Sequence, residues 1–448
     1  MNDQFVPFDE VVARVVDALA MLGDIPNDAT PVYLVRDLYG KVRISVSEDV
    51  QSHKPGTNAL RALAQMLHDA LGAHGYPARD GVLFVGPELL HTLDGVAQEI
   101  RPGVYWADRL VTGHDWWTVA DALPERQAMR CTLYSIKGGV GRSTTAAVLA
   151  WHLARKGERV LVVDLDLESP GLTSAILNHE LQPDFGVTDW FVEDLVGQGD
   201  RVAERMTAAP SWSHELQGDV RVVPAHGGEP GDYLAKLGRV YMDTDQSWTT
   251  RLTRLLDRLE ADFEPTLVLL ESRSGLHDIA AATVTDLGAE VLLFATDSES
   301  TWSGYDMLFR HWQLRQLTAR IGGRLSIVSA LTPELDTEKY IEKFRETAFY
   351  LFEHRLYEQL DPNADPEDDF FSYDIHDEHA PHNPLPIHWT RGLAAGASLR
   401  DLERTTVGQA YSQFLERFDE LIRTSRALRQ SSTDFDADGH NGNNGDSL

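Results

Sequence analysis

The stretch Tyr134-Ser-Ile-Lys-Gly-Gly-Val-Gly-Arg-Ser-Thr144 decides the fold of this chain of 448 residues. It overlaps the end of an apolar run, Cys131 to Ile136, and leads into a run with helical character, Thr144 to Lys156. A strand, a glycine-rich loop and a helix in this order form a phosphate-binding loop. The glycines let backbone N–H groups approach an anion, and the helix N-terminus adds the positive end of its dipole. Ser143 supplies a hydroxyl where such a loop binds Mg²⁺.

Two features set the loop apart from an ordinary P-loop, G-x-x-x-x-G-K-[ST]. Arg142 replaces the lysine that follows the last glycine, and Lys137 stands at the front. The stretch Lys137 to Thr144 resembles the deviant Walker A motif, K-G-G-x-x-K-[ST], of the ParA/MinD family of P-loop ATPases. The resemblance implies that Lys137 reaches the phosphates of a partner subunit in a dimer that encloses ATP. It also implies that nucleotide is bound by Lys137, Gly138, Gly139, Val140, Gly141, Arg142, Ser143 and Thr144.

Acidic residues end two further apolar runs. Arg159-Val-Leu-Val-Val-Asp164 leads into Asp166, and Pro265-Thr-Leu-Val-Leu-Leu leads into Glu271. Since ligands of open α/β sheets bind at the carboxyl ends of the strands, these acids should lie beside the phosphates. By the resemblance, Asp166 positions or activates the attacking water. Mg²⁺ would be held by Ser143, Asp164 and Glu271.

Several residues depart from the family pattern. Glu271 stands where the family usually has aspartate, so the longer side chain leaves the geometry of this metal ligand open. The segment Thr296-Asp-Ser-Glu299 resembles a T-x-P-E motif whose glutamate touches the ribose across the dimer, which implies that Glu299 binds nucleotide. The strand Arg324 to Ala330 lacks the asparagine that often reads adenine, so base specificity is also open. Arg273 could contact a phosphate, contact a partner's carboxylate, or lie on the surface.

We predict an α/β fold with two domains. Residues 129–426 should form a doubly wound, mostly parallel P-loop sheet flanked by helices, and residues 1–128 a smaller α+β domain that binds a partner. Within the smaller domain we expect a hairpin over 31–46 and a helix over 89–100. Its aromatic residues could form a partner surface, although packing is the simpler interpretation. These are Tyr105, Trp106, Trp116 and Trp117. Residues 427–448 should form a disordered acidic tail.

The net charge of −30 bears on the partners of this chain. Binding to nucleic acid or to anionic membranes requires clustered Lys and Arg, and no such cluster is visible, so neither is expected from this chain alone. No apolar run is long enough to span a membrane, and the acidic N-terminus does not resemble a signal peptide. A single cysteine fits a cytoplasmic protein. The acidic, histidine-containing stretch 361–384 is interpreted as a solvated loop, because its spacing matches no known metal site.

The resemblance implies a molecular switch that binds and hydrolyses MgATP, dimerises around ATP and controls a partner. The catalytic residues would be Lys137, Arg142 and Asp166, and the cofactors ATP and Mg²⁺. A second hypothesis is an ATP-sensing scaffold with poor hydrolysis, because Arg142 and Glu271 both depart from the family pattern. A kinase of the bacterial tyrosine-kinase type is disfavoured, since the C-terminus lacks a tyrosine-rich tail.

Overall fold

The computed structural model describes residues 5–21, 31–52, 54–94, 97–109, 116, 119, 128–242, 246–358, 371–390 and 404–439. The chain divides into two compact units, Met1–Thr112 and Gly113–Leu448. In the part of the chain that is described, no helix has the length and apolar character needed to cross a membrane.

The N-terminal unit contains a mixed five-stranded sheet with the order β3-β2-β1-β5-β4. Its strands are β1 (Val32–Arg36), β2 (Val42–Ser47), β3 (Val82–Val85), β4 (Gln98–Arg101) and β5 (Val104–Asp108). Its helices are α1 (Val11–Met21), α2 (Lys54–Leu71) and α3 (Pro87–Asp94). β1 and β2 pair antiparallel, with Tyr33 opposite Ser45, so the predicted hairpin is confirmed. The central strands pack their apolar side chains against α1 and α2.

One element of this unit differs from its prediction. The prediction of a helix over residues 89–100 is wrong. Helix α3 ends at Asp94, and Gln98–Arg101 form strand β4, which pairs antiparallel with β5. The cause is the turn that follows. Gly103 adopts φ +74°, and its N–H donates to the Glu99 carboxylate at 2.8 Å, which returns the chain along its own path. A hairpin partner adjacent in sequence thus overrides the local helical pattern.

The aromatic residues of the predicted N-terminal domain are used for packing where they are described. Trp106 is buried in the core of the N-terminal unit, and Tyr105 stacks on Tyr33 with ring centroids 5.4 Å apart. Trp116 falls in the second unit, where it packs on Tyr134 and Trp312. Trp117 lies outside the described residues.

The second unit is built on a seven-stranded sheet with the order β12-β11-β10-β6-β9-β7-β8, and every neighbouring pair is parallel. The strands are β6 (Met129–Ser135), β7 (Arg159–Asp164), β8 (Asp219–Val223), β9 (Leu267–Glu271), β10 (Glu290–Ala295), β11 (Leu325–Thr332) and β12 (Leu385–His388). The predicted doubly wound parallel sheet is confirmed.

Helices cover both faces of this sheet, so its strands are apolar on both sides. They are α4 (Arg142–Arg155), α5 (Leu172–Ile176), α6 (Val187–Asp194), α7 (Gly199–Ala203), α8 (Tyr233–Val240), α9 (Trp248–Phe263), α10 (Asp278–Thr285), α11 (Glu299–Leu314), α12 (Thr318–Ile321), α13 (Thr337–Arg355) and α14 (Arg404–Gly439). Side chains of α4 and α14 fill one face. Those of α9, and of α11 with α13, fill two clusters on the other.

The closing helix is longer than the sequence indicated. Helix α14 continues to Gly439, so it passes through the first part of the segment predicted as a disordered tail. Residues 440–448 of that segment lie outside the described residues. The apolar face of the helix places Tyr411, Phe414 and Phe418 in the core beside α4.

Candidate functional site

The glycine-rich loop joins β6 to α4 at the carboxyl end of the central strand. Gly139 and Gly141 adopt φ values of +77° and +87°, a region in which a side chain would be strained. The Thr145 backbone N–H and hydroxyl both donate to the Gly141 carbonyl, at 2.9 and 2.8 Å, which fixes the start of the helix. Lys137, Gly138 and Gly139 are exposed. The loop therefore presents its backbone to solvent at a helix N-terminus, the arrangement that binds phosphate.

Arg142 turns away from solvent at this helix start. Its side chain is only 5% exposed, and Nη2 donates to Asp166 Oδ2 at 3.1 Å. Nη1 is buried and has no hydrogen-bond partner among the described residues. A buried guanidinium normally uses its donors fully, so Nη1 has capacity for one more acceptor.

Ser143 contacts the acid at the end of β9. Its hydroxyl donates to Glu271 Oε1 at 2.5 Å, so the longer side chain does reach the phosphate loop. Glu271 is 1% exposed, and Oε2 has no partner among the described residues. Asp164, at the end of β7, is fully buried and accepts from the Asp166 backbone N–H at 3.2 Å and the Thr173 hydroxyl at 3.3 Å.

Burial makes these carboxyls weak acids. It raises the pKa of Glu271 to about 7, although the Ser143 hydroxyl works in the opposite direction. It raises the pKa of Asp164 well above its usual value, and the neighbouring charge of Glu271 adds to that effect. It raises the pKa of Asp166, with the Arg142 cation opposing it. Such pKa shifts are typical of functional sites.

The oxygen atoms at the carboxyl ends of these strands fit Mg²⁺ better than a metal whose ligands all come from protein side chains. No group of three or more His, Cys, Asp or Glu side chains in the described ranges is arranged to hold a metal ion. Mg²⁺, however, needs only one or two protein ligands when phosphates and waters complete its shell. The Ser143 hydroxyl and the unpartnered Oε2 of Glu271 meet that need, and Asp164 lies behind them.

The two residues expected to act across a dimer lie near one another. Lys137 donates from Nζ to the Ser300 hydroxyl, and Glu299, also exposed, begins α11. Gly304 of the same helix lies so close to Ile136 that a Cβ there would be 2.4 Å from a side-chain carbon. The start of α11 is thus packed against the phosphate loop.

Sequence reasoning missed an ion pair at this edge. Arg273 donates from Nη1 to Glu168 Oε1, and the Tyr241 hydroxyl donates to the same oxygen. The pair joins the loop after β7 to the loop after β9. A signal was available, since Glu168 follows Asp164 and Asp166 at intervals of two.

The structure describes residues 371–384 of the acidic stretch, which include its histidines. His382 is fully buried. Its Nε2 donates to the Ile375 carbonyl at 3.2 Å, so Nδ1 accepts from the Tyr357 hydroxyl at 2.5 Å. Both ring nitrogens are used within the fold, which is a packing role. The residues of this stretch up to 370 lie outside the described residues.

Comparison with known proteins settles the family. The family model described as the CobQ/CobB/MinD/ParA nucleotide binding domain matches residues 131–424, more than half of the chain. The chain belongs to this family. It is therefore a nucleotide-binding protein of the ParA/MinD type, as its phosphate loop indicated.

Individual relatives are more distant. The chromosome-partitioning ATPase Soj of Thermus thermophilus is 62% identical over 37 residues, which is 8% of this chain and 15% of that protein. Apo McdA of Cyanothece is 18% identical with a TM-score of 0.39, over 64% of this chain and 96% of that one. pNOB8 ParA bound to nonspecific DNA is 15% identical with a TM-score of 0.32, over 51% and 74%.

These values carry no argument about what this chain binds. The short Soj match leaves that protein's activity and partners as proposals here, and the two structural likenesses are too weak to add any. They also give no support to the prediction that this chain alone does not bind nucleic acid. That prediction rests only on the charge of −30.

The raised pKa of Glu271 predicts a pH dependence of stability in the nucleotide-free protein. Between the ordinary value of 4.5 and about 7, this carboxyl is protonated when folded and ionised when unfolded. The free energy of unfolding should therefore fall as pH rises through this window, by at most about 1.4 kcal/mol per pH unit from this group. Glu271→Gln should make the fall shallower. The measurement is urea unfolding at several pH values between 4.5 and 8.

The matched control is Glu334→Gln, which changes an exposed carboxyl outside the site. It should leave the pH dependence as in the unmodified protein. Identical pH dependence for Glu271→Gln and the unmodified protein would mean that Glu271 is ionised when folded.

Proposed function

We propose that this protein is a molecular switch that binds and hydrolyses MgATP, dimerises around ATP and controls a partner protein. One observation carries the proposal. Two contacts beside the phosphate loop, Arg142 with Asp166 and Ser143 with Glu271, each leave one buried polar atom without a partner. One is a cationic donor and the other a carboxylate oxygen, which are the groups that phosphate and Mg²⁺ require.

The chain's own residues divide the binding work. The backbone N–H groups of residues 138–143 surround the phosphates, and the free Nη1 of Arg142 donates to one of their oxygens. Ser143, Glu271 and Asp164 would hold Mg²⁺. When bound, Mg²⁺ neutralises charge on the phosphates. Most of the catalytic effect would come from positioning and electrostatics, as is usual for phosphoryl transfer.

Asp166 orients the water that attacks the terminal phosphate. The water oxygen forms a bond to the γ-phosphorus while the bond from that phosphorus to the β–γ bridging oxygen breaks. ADP leaves with the electron pair, and the proton of the water passes to the Asp166 carboxylate. Burial raises the pKa of Asp166, which makes its ionised form a better proton acceptor. The ion pair with Arg142 holds this carboxylate in place.

The second candidate is an ATP-sensing scaffold with little hydrolysis, and the Arg142 contact also favours it. The guanidinium that replaces the usual lysine is already engaged with Asp166. The Arg142 charge acts to lower the pKa of Asp166, and if this effect dominates when ATP is bound, the carboxylate accepts the proton of the water less readily. Binding and turnover must therefore be measured separately.

Phosphate release under steady-state conditions distinguishes the two candidates. The unmodified protein with MgATP should release phosphate continuously, and Asp166→Ala should reduce the rate at least 100-fold, since one positioned proton acceptor contributes roughly 10²–10⁴. ATP affinity, measured in parallel by calorimetry, should change far less.

The alternatives give different results. Tight binding by the unmodified protein without turnover would favour the scaffold, and the absence of both would overturn the proposal. Equal turnover in the protein and in Asp166→Ala would indicate a contaminating ATPase or a different water-positioning residue.

Dimerisation is supported by the exposure of Lys137 on the loop. Its Nζ donates to the exposed Ser300 hydroxyl at the start of α11, a contact that a phosphate bound to another subunit could replace. We expect ATPγS with Mg²⁺ to double the mass measured by light scattering, and Lys137→Ala to prevent this change. Arg258→Ala, which removes an exposed ion pair within α9, is the control and should dimerise normally. An unchanged mass with nucleotide would count against the ATP-enclosing dimer.

The N-terminal unit is the proposed partner-binding part. It forms a compact unit of its own, Met1–Thr112, whereas the phosphate loop belongs to the second unit. A pull-down with the full chain should recover a protein that is lost when residues 1–112, the extent of this unit, are deleted. Recovery of the same proteins by both forms would remove this assignment, provided that the truncated form still binds ATP.

A further inference from the structure

The proposed hydrolysis does not use Arg273, although its loop is tied to the phosphate-loop strand. Arg273 follows Glu271 by two residues at the carboxyl end of β9. The Ser272 N–H donates to the Leu133 carbonyl at 3.1 Å, and the Gly275 N–H donates to the Ser135 carbonyl at 3.0 Å. Two hydrogen bonds to β6 thus bracket Arg273. Its backbone is held at the sheet edge where the phosphate loop begins.

The next residue reaches the phosphate loop itself. A Cβ built on Gly138 would lie 3.7 Å from the Ser274 hydroxyl oxygen, which is ordinary van der Waals contact. In the proposed function, Gly138 is one of the residues whose N–H groups surround the phosphates. Arg273 is therefore one residue away from a direct neighbour of the loop.

The Arg273 side chain is held by one partner on one nitrogen. Nη1 donates to Glu168, and this is its only hydrogen-bond partner within the described ranges. The side chain of Arg273 is 28% exposed, so its remaining N–H groups are open to a ligand. Glu168 is fixed in turn, because it also accepts from the Tyr241 hydroxyl at the end of α8. An arginine held at one end with free donors at the other is preorganised for an anion.

Arg273 also interacts electrostatically with the acid that is proposed to orient the water. The Arg273 guanidinium acts to lower the pKa of Asp166, against the larger effect of burial. It has the same electrostatic influence on His277, on the far side of its loop. Arg142 meanwhile is engaged with Asp166 and has one free nitrogen. The edge therefore has a second cation with more unused donors than the one inside the loop motif.

We propose that Arg273 is a catalytic residue that binds the terminal phosphate of ATP from within the same subunit, and that Glu168 and Tyr241 are its positioning residues. The inference rests on the proposed function and adds a residue to it. As charge redistributes on the transferred phosphoryl group, a fixed guanidinium stabilises it without reorganisation. The simpler reading is that the ion pair only joins two loops, and the two readings differ in what a phosphate-dependent measurement shows.

Binding of the triphosphate relative to the diphosphate is the first test, because it does not require turnover. Arg273→Ala should weaken ATPγS by about 10-fold or more, the usual range for a hydrogen bond to a charged group, and leave ADP nearly unchanged. The Kd ratio, defined as the Kd for ADP divided by the Kd for ATPγS, should therefore fall. Arg258→Ala, which breaks an exposed ion pair within α9, should keep the ratio of the unmodified protein.

Turnover is the second test. Arg273→Ala should lower kcat by roughly 10²- to 10³-fold, somewhat less than a complete arginine finger contributes. Added guanidinium ion at millimolar concentration should restore part of the lost rate, which a role in joining loops would not produce. Glu168→Gln keeps the shape but removes the charge that orients Arg273, so it should lower kcat by about 10-fold, the order of one charge-assisted hydrogen bond, with little change in ADP affinity.

The outcomes separate this inference from the proposed function. A lower Kd ratio in Arg273→Ala, with no turnover even in the unmodified protein, would retain the phosphate contact and reject hydrolysis. Unchanged Kd ratio and kcat in a folded Arg273→Ala would reject the inference and leave hydrolysis intact. Equal weakening of ADP and ATPγS, with a lowered melting temperature and no guanidinium rescue, would assign the pair to structure and also reject it.

Discussion

Burial of the parallel strands on both faces is the constraint on which the site depends. Successive residues of β7 point to opposite faces, and both faces are covered: Val160 and Val162 enter one cluster, and Leu161 and Val163 another. Ionisable side chains have no favourable place along such a strand until it ends. Acids therefore lie at strand termini, and at the carboxyl ends Asp164 and Glu271 lie in register on adjacent strands.

The same constraint leaves the site short of positive charge. Three buried or largely buried carboxyls, of Asp164, Asp166 and Glu271, share one buried cation, Arg142. Burial and the mutual repulsion of these carboxylates disfavour their ionised forms. The pKa values of all three are therefore raised. A divalent cation offsets the same repulsion without protons. A site of this kind favours Mg²⁺ and the phosphates it accompanies, which would link metal binding to nucleotide binding.

The parallel sheet could be predicted because its strands are continuous apolar runs that periodicity identifies directly. Strand β4 could not, because its polar sequence forms a strand only through pairing with β5 after the Gly103 turn. The phosphate loop and the acids were visible as motifs. The Arg273–Glu168 pair was not predicted, because its members are 105 residues apart and meet only when β7 and β9 become neighbours. Local patterns can therefore be predicted from the sequence, whereas contacts that depend on which strands become neighbours cannot.

The identity of residue 142 follows from these contacts. A lysine there would carry a single charged nitrogen, and that nitrogen can serve either the phosphates or the buried acid. Arginine has a fork: Nη2 offsets the charge of Asp166, and Nη1 is left for a phosphate oxygen. Arginine side chains in general also stay charged in proteins, whereas a buried lysine ammonium loses its proton more readily. Arginine at this position thus suits the cluster of buried acids at the carboxyl end of the sheet. Only one terminal nitrogen of Arg142 is left for a phosphate, and the phosphate contact proposed for Arg273, at the end of the neighbouring strand, adds to it.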